Sequence, residues 1–293
     1  MKSSFVFWVE EYFYNPNPLQ KIISYLLLPL SWLYCLIVWV KFKFATPEDF
    51  GIKIVSVGNL TVGGSGKTPL VTALAQKEHS AAVILRGYGR ESKGLYVVKD
   101  RQKILCDVKV SGDEAMIYAK KLPKAVVIVS EDRKKGILKA KEMGCCIVFL
   151  DDAYSKHSIK KRDILIDVAT SNNFCLPSGP YREKLWSSKR VTVIKEERDF
   201  FREVSLLNAT ERMSLVTAIA RPQRLEKYLP KNVIKRHYFE DHHSYTKEEL
   251  ERILDEDGAT SLLVTFKDYV KIEHFGLPLS LLDLEVKVKE GVI

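Results

Sequence analysis

The 293-residue chain is expected to be α/β, with a parallel sheet covered by helices on both faces, a second smaller α/β unit, and an apolar helix in front. Three observations carry this. Short β-branched runs alternate with amphipathic segments after Pro47, which is the rhythm of βαβ units. The alternation resumes near residue 200, beyond a charged and poorly periodic stretch at 184–202 that reads as a connection. Residues 22–40 contain no charge at all. The divisions that follow are an N-terminal membrane-associated segment at 1–45, a first α/β domain at 46–195 and a C-terminal α/β domain at 196–293.

Taken in order, the uncharged run (IISYLLLPLSWLYCLIVWV) is bracketed by Lys21 before it and by Lys41 and Lys43 after it. As one helix it would be about 28 Å long, close to the roughly 30 Å thickness of a bilayer's hydrocarbon core. No small-residue cleavage site follows, so it reads as a membrane helix rather than a signal peptide. Pro29 is placed to kink or tilt it, and spanning and oblique insertion both remain open. Lysines at both ends leave its orientation undecided.

Strand-like runs follow at 52–57, 81–85, 126–129, 146–150 and 164–168, most of them separated by helical patterns such as 114–122 and 134–143. The clearest strands of the second unit are 214–219 and 261–265. In such sheets ligands gather at the carboxyl ends of strands. There the first run enters TVGGSGKTP at 61–69, a glycine-rich loop that opens a helical pattern. Backbone N–H groups of Thr61, Val62, Gly63, Gly64, Ser65 and Gly66 would cradle phosphate oxygens, with the helix dipole and the Lys67 ammonium adding positive field. The Thr68 hydroxyl would ligate Mg²⁺. Thr61 stands where the pattern G-x-x-x-x-G-K-[ST] asks for glycine. A P-loop that binds nucleotide phosphate is therefore expected, in a parallel sheet.

Other chemistry-bearing residues lie beside later strands. The run at 145–150 ends in Asp151 and Asp152, carboxylates suited to hold Mg²⁺ beside Thr68. Asp113 and Glu114 follow Gly112 at a helix start, where acids ordinarily serve as dipole partners. Glu114, Arg133 and Arg182 are candidates for binding substrate or phosphate, one of the two arginines as an arginine finger on the γ-phosphate. Asp241-His242-His243 precedes the capping signal of Thr246 and Glu249, and also reads as a polar loop leading into a helix.

A net charge of +9 favours an anionic partner: a phosphorylated substrate, an acidic lipid or nucleic acid. No recognised nucleic-acid motif accompanies the basic run KHSIKKR at 156–162, so nucleic acid is not the expected partner. No N-K-x-D tetrapeptide is present to recognise guanine. The five cysteines lack C-x-x-C spacing and read as buried thiols of a reducing compartment, with neither disulfide nor zinc.

Eight motifs occur in the order seen in the tetraacyldisaccharide 4'-kinases of lipid A synthesis: TVGGSGKTP at 61–69, RGYGR at 86–90, GDE at 112–114, LDDAYSKH at 150–157, LPSGPYRE at 176–183, IARPQR at 219–224, DHH at 241–243 and VTFKDYVK at 264–271. The chain resembles this family over nearly its whole length, apolar N-terminal run included. The resemblance implies a kinase that uses ATP and Mg²⁺ to phosphorylate the 4'-hydroxyl of a membrane-embedded acylated disaccharide 1-phosphate, forming lipid IVA. It implies a place at the inner membrane with the catalytic domains on the cytoplasmic side, Asp113 as catalytic base, and His242 as its partner from the other domain. The chain departs from the family pattern where D-D-A-Y-S-K-H is one residue longer before His157 than D-D-G-F-Q-H, at Phe266 in place of a glutamate, and at Tyr181 in place of a leucine. The competing reading is a membrane-anchored P-loop ATPase switch acting on a protein partner. Transfer of phosphate to a lipid rather than to water distinguishes the two.

Overall fold

The computed structural model describes residues 4–219, 222–241 and 243–292. Three helices open the chain: α1 (Ser4–Tyr14), α2 (Pro18–Leu26) and α3 (Leu28–Lys43). The run expected to form one membrane helix is thus divided. No single helix among the described residues is long and apolar enough to cross a membrane; α2 and α3 together have the length and composition, but they are bent by 58°. Pro29 supplies the reason. Inside a continuous helix it has no N–H to offer the Tyr25 carbonyl and its ring crowds that group, whereas the start of a new helix requires neither.

These helices are inside out. Gln20, Ser24 and Ser31 are buried against the protein, while Ile22, Leu26, Leu30, Trp32, Leu33 and Leu36 face outward. The inward hydroxyls satisfy one surface loop: Ser24 donates to the Ser178 carbonyl (2.6 Å), Ser31 to Cys175 (2.7 Å) and Tyr34 to Arg182 (3.0 Å). That docking brings Cys35, one turn beyond Ser31, against Cys175 with Cα atoms 6.3 Å apart, and the two form a disulfide. The expectation of free buried thiols is corrected there, and again at Cys146, which is exposed while its neighbour Cys145 is buried.

The first sheet follows in the order β1 (Lys53–Gly58), α4 (Lys67–Ala75), β2 (Ala81–Leu85), β3 (Tyr96–Lys99), α5 (Val108–Ser111), α6 (Asp113–Lys121), β4 (Val126–Val129), α7 (Arg133–Glu142), β5 (Ile147–Asp151), β6 (Arg162–Ile166) and β7 (Val191–Ile194). Across the sheet the strands run β3-β4-β2-β5-β1-β6-β7, parallel except for β3. β2 is apolar throughout, and β5 as far as its terminal Asp151, because both faces are covered, every residue of each being buried. β7 lies within the stretch read as a connection. As a short edge strand with only Ile194 buried, it carries no continuous apolar signal.

The second unit comprises β8 (Phe200–Leu207), β9 (Met213–Thr217), β10 (Val233–Tyr238), α8 (Lys247–Asp257), β11 (Ser261–Thr265), α9 (Phe266–Ile272) and β12 (Leu279–Val288). Its order is β10-β9-β11-β12-β8, with β8 alone antiparallel. The two units share apolar packing: Leu70, Val71 and Leu74 of α4 belong to one core with Phe200 and Val286. The helix behind the glycine-rich loop is therefore held from both sides, and a cleft lies between the units at that helix's N-terminus.

Candidate active site

β1 and β5 are parallel neighbours with Val57 opposite Asp151, so the glycine-rich loop and the paired aspartates emerge side by side. Gly63 and Gly66 adopt φ values of +91° and +78°, in the left-handed region that favours glycine. At Gly66 the requirement is also spatial. A Cβ there would lie 2.5 Å from the guanidinium of Arg202, which reaches over the loop from β8.

Lys67 donates to Asn59 Oδ1 (2.9 Å), and its Nζ lies 3.6 Å from Asp152 Oδ1 and 3.4 Å from Ser65 Oγ. Arg182 grips Asp152 with both terminal nitrogens (2.9 and 2.5 Å) and also donates to Asn59 (3.0 Å). Burial alone would raise the Asp152 carboxyl; Lys67 and Arg182 outweigh it and hold the group below the usual carboxylate range. Thr61 and Val62 are stitched to the neighbouring loop, with the Val62 N–H donating to the Pro180 carbonyl (2.9 Å) and Thr61 bridged to Tyr181.

Asp151 is in a different situation. Tyr118 donates to its Oδ2 (2.8 Å), while Oδ1 is buried without a partner. Burial, reinforced by the charge of Glu114 and opposed by Lys67, pushes this carboxyl up to about 7. The Thr68 hydroxyl lies beside the same Tyr118 phenol. A carboxylate with one orphaned oxygen, in the same neighbourhood as a hydroxyl, fits Mg²⁺, a hard cation that takes one or two carboxylates and leaves its other positions to water and substrate phosphates. Among the described residues no group of three or more His, Cys, Asp or Glu side chains is gathered as a metal cage.

Two cavities meet here. The first, about 470 Å³, has Gly63, Gly64, Gly66, Lys67, Thr68 and Glu114 on one wall and Arg202, Arg224, Asp241 and Lys267 of the second unit on the other. The second, about 360 Å³, is lined by Tyr34, Val38 and Lys41 of α3 together with Lys156, Arg182 and Glu183, and contains Asn59 and Asp152. Lys67, Asn59 and Asp152 form the partition between them.

The remaining residues singled out in the sequence are placed as follows. Asp113 begins α6 and meets Lys271 Nζ of α9 at 3.1 Å; the same ammonium donates to the His243 carbonyl (3.1 Å). His242 lies outside the described residues. Arg133 reaches neither cavity: its buried guanidinium donates to the carbonyls of Ser130 and Asp151, behind β5. His157 is packed edge-on against Phe42 at the end of α3 (5.1 Å between ring centres). Phe266, the departure from glutamate, lies under the Lys121 ammonium (4.5 Å). Asn59, Tyr118, Arg202 and Lys271 are additions that sequence reasoning missed. For Tyr118 a signal existed, since it follows Glu114 by one helical turn on the same face.

The loop, the adjoining carboxylates and the doubly wound parallel sheet define a P-loop phosphotransferase of the kinase type. Its family is identified by comparison. The family model described as tetraacyldisaccharide-1-P 4'-kinase matches residues 23–200 and 199–292. A tetraacyldisaccharide 4'-kinase of Aliarcobacter butzleri is 50% identical over 302 residues, covering 100% of this chain and 96% of that protein. One from Helicobacter pylori is 47% identical over 296 residues, covering 100% and 94%. The crystal structure of LpxK from Aquifex aeolicus in complex with ATP superposes with a TM-score of 0.72 at 25% identity, over 92% of this chain and 96% of that one. The chain belongs to the tetraacyldisaccharide 4'-kinase family.

Proposed function

We propose that the protein transfers the γ-phosphoryl group of ATP to the 4'-hydroxyl of a tetraacylated glucosamine disaccharide 1-phosphate, forming lipid IVA in lipid A biosynthesis. The observation that carries this reading is the shared partition of Lys67, Asn59 and Asp152 between two cavities. One cavity has a phosphate cradle and the other is walled by the outward-apolar helix. ATP phosphates would lie along the 61–68 backbone, with Arg202 and Arg224 on their far side. Asp151 and Thr68 would hold Mg²⁺, which supplies charge neutralisation for the transferring phosphoryl group. The acceptor hydroxyl would enter from the second cavity, where Lys41, Lys156 and Arg182 suit an anionic lipid.

Asp113 takes the hydroxyl proton in this scheme. Lys271 holds its carboxylate in place, and His242 is its partner from the second unit. The apolar face of α2 and α3 rests in one leaflet of the inner membrane, with the catalytic units on the cytoplasmic side. An outward face this apolar, backed by buried serines, is the reverse of a soluble amphipathic helix and supports that arrangement. The test is incubation with γ-labelled ATP, Mg²⁺ and the disaccharide 1-phosphate in detergent, followed by chromatography. Label in the lipid supports the kinase; label found only in inorganic phosphate supports the ATPase switch.

A further inference from the structure

A third cavity, about 650 Å³, lies at the opposite end of the first sheet from the active site. It is lined by Lys53 at the start of β1, Lys160, Lys161 and Arg162 at the start of β6, and Arg190 beside β7, with Asp49 as its carboxylate. The charges do not cancel. Asp49 is taken by Lys160 (2.8 Å), and Lys161 is turned inward to Asp163 (3.4 Å). Lys53, Arg162 and Arg190 are exposed and have no carboxylate partner among the described residues.

The position of the cavity indicates what would fill it. Helix α3 ends at Lys43, followed by Phe44, which is 77% exposed. Six residues later the chain supplies Asp49 to the cavity wall, and it is pinned there by the Glu48 N–H on the Ser158 carbonyl (3.1 Å) and the Lys160 N–H on the Glu48 carbonyl (2.9 Å). Six extended residues reach at most about 20 Å. The cavity is thus tethered within that reach of the end of the outward apolar face. A pair of unpaired guanidiniums is suited to bidentate capture of phosphate oxygens.

We propose that this cavity binds the phosphate headgroup of an anionic phospholipid of the host membrane, as a site separate from that of the phosphorylated substrate. The inference rests on the membrane association proposed above. Apolar insertion of α2 and α3 then provides depth, and the basic cavity fixes how the first sheet stands against the surface, each exposed cation adding attraction that salt weakens.

The experiment is co-sedimentation of the full chain with vesicles of phosphatidylcholine, alone or mixed two-to-one with phosphatidylglycerol. It compares wild type with Arg162→Glu/Arg190→Glu and with the charge-conserving Arg162→Lys/Arg190→Lys. Wild type should bind the mixed vesicles at least about tenfold more tightly than the neutral ones, with the preference falling as salt rises. The Glu variant should lose that preference, keep its binding to neutral vesicles, and retain phosphorylation of detergent-dispersed substrate, which shows that it is folded. The Lys variant should keep most of the preference. Equal preference in wild type and the Glu variant overturns the proposal while leaving membrane association intact. Absence of binding to either vesicle overturns both. Displacement of wild type from mixed vesicles by millimolar inorganic phosphate, with no such displacement of the Glu variant, would assign the cavity to free phosphate and overturn the lipid assignment.

Discussion

Asp151, the last residue of β5, and Asp268, in the first turn of α9 just past β11, are both buried carboxylates beside a central parallel strand, one in each unit, and they are handled in opposite ways. Asp268 accepts four hydrogen bonds, from the Ala218 N–H (2.9 Å) and Tyr245 (2.9 Å) on Oδ1 and from Thr217 and Thr265 (both 2.7 Å) on Oδ2. Asp151 accepts one on Oδ2 and leaves Oδ1 empty. Both sit in motifs conspicuous in the sequence, so residue type does not distinguish them. Saturation does. A carboxylate whose lone pairs are all taken ties strands together, whereas one left short in a buried site keeps an acceptor available for a ligand at a cost to the fold.

The sharpest way to break this comparison is to neutralise both groups. Asp151→Asn should lower turnover by about 10²–10³-fold, roughly 3–4 kcal/mol of lost transition-state stabilisation. Its melting temperature should stay level or rise, because an under-solvated charge has been removed. A variant that melts early but turns over normally would reverse the assignment. Asp268→Ala should do the opposite and destabilise by about 3 kcal/mol in urea unfolding, since four donors lose their acceptor. Where the folded fraction is measured directly, its turnover per folded molecule should change little.

Asp113 extends the comparison, being met by an ammonium from the other unit. Asp113→Ala is expected to reduce kcat by at least about a hundredfold with little change in KM for ATP, the scale of general base catalysis. A pure rise in KM would make it a binding residue instead.

Asp257 provides a second saturated carboxylate, and its effect should appear as acid sensitivity. Burial opposes ionisation, but Lys235, Ser214 and His237 overcome it and bring the group down to about 2. The folded value lies below the roughly 3.9 of an unfolded chain. Its stabilisation is therefore complete above about pH 4 and is lost as the pH falls towards 2. Urea midpoints at pH 5 and pH 3 should differ more in wild type than in Asp257→Asn; equal differences would remove Asp257 from the account.

Much of the first unit was legible because its signals are local. Doubly covered strands read as apolar runs, and a P-loop needs its glycines, lysine and threonine in one short segment. The features that were missed depend on distant partners. Arg202 rests over Gly66 from more than 130 positions away, and the Cys35–Cys175 disulfide spans 140 residues. Helix α3 illustrates a subtler limit. Hydropathy counted an unbroken apolar run, but Pro29 divides it, and the small hydroxyls that looked incidental form its docking face. Arg133 shows a related limit: its residue type suits a phosphate, but sequence does not reveal that its buried guanidinium donates to the Ser130 and Asp151 carbonyls.

The smallest expected effect tests the reason Asp151 keeps one oxygen open. Tyr118 is fully buried, and its phenol is the only donor to the Asp151 carboxylate among the described residues. By occupying Oδ2 it leaves Oδ1 as the oxygen without a partner. Tyr118→Phe keeps the ring and its packing and removes only that donor, so the fold should lose about 1 kcal/mol, the ordinary net value of one hydrogen bond. If the phenol merely filled space, the chemistry would be untouched. If it orients the carboxylate, half-saturation by Mg²⁺ should rise severalfold at fixed ATP, while turnover at saturating Mg²⁺ falls by less than about tenfold. Removing the orienting donor weakens a ligand without deleting it, so the loss must stay well short of that in Asp151→Asn. An unchanged Mg²⁺ requirement in a stably folded Tyr118→Phe would separate the phenol from the metal site and leave the empty oxygen without its orienting partner.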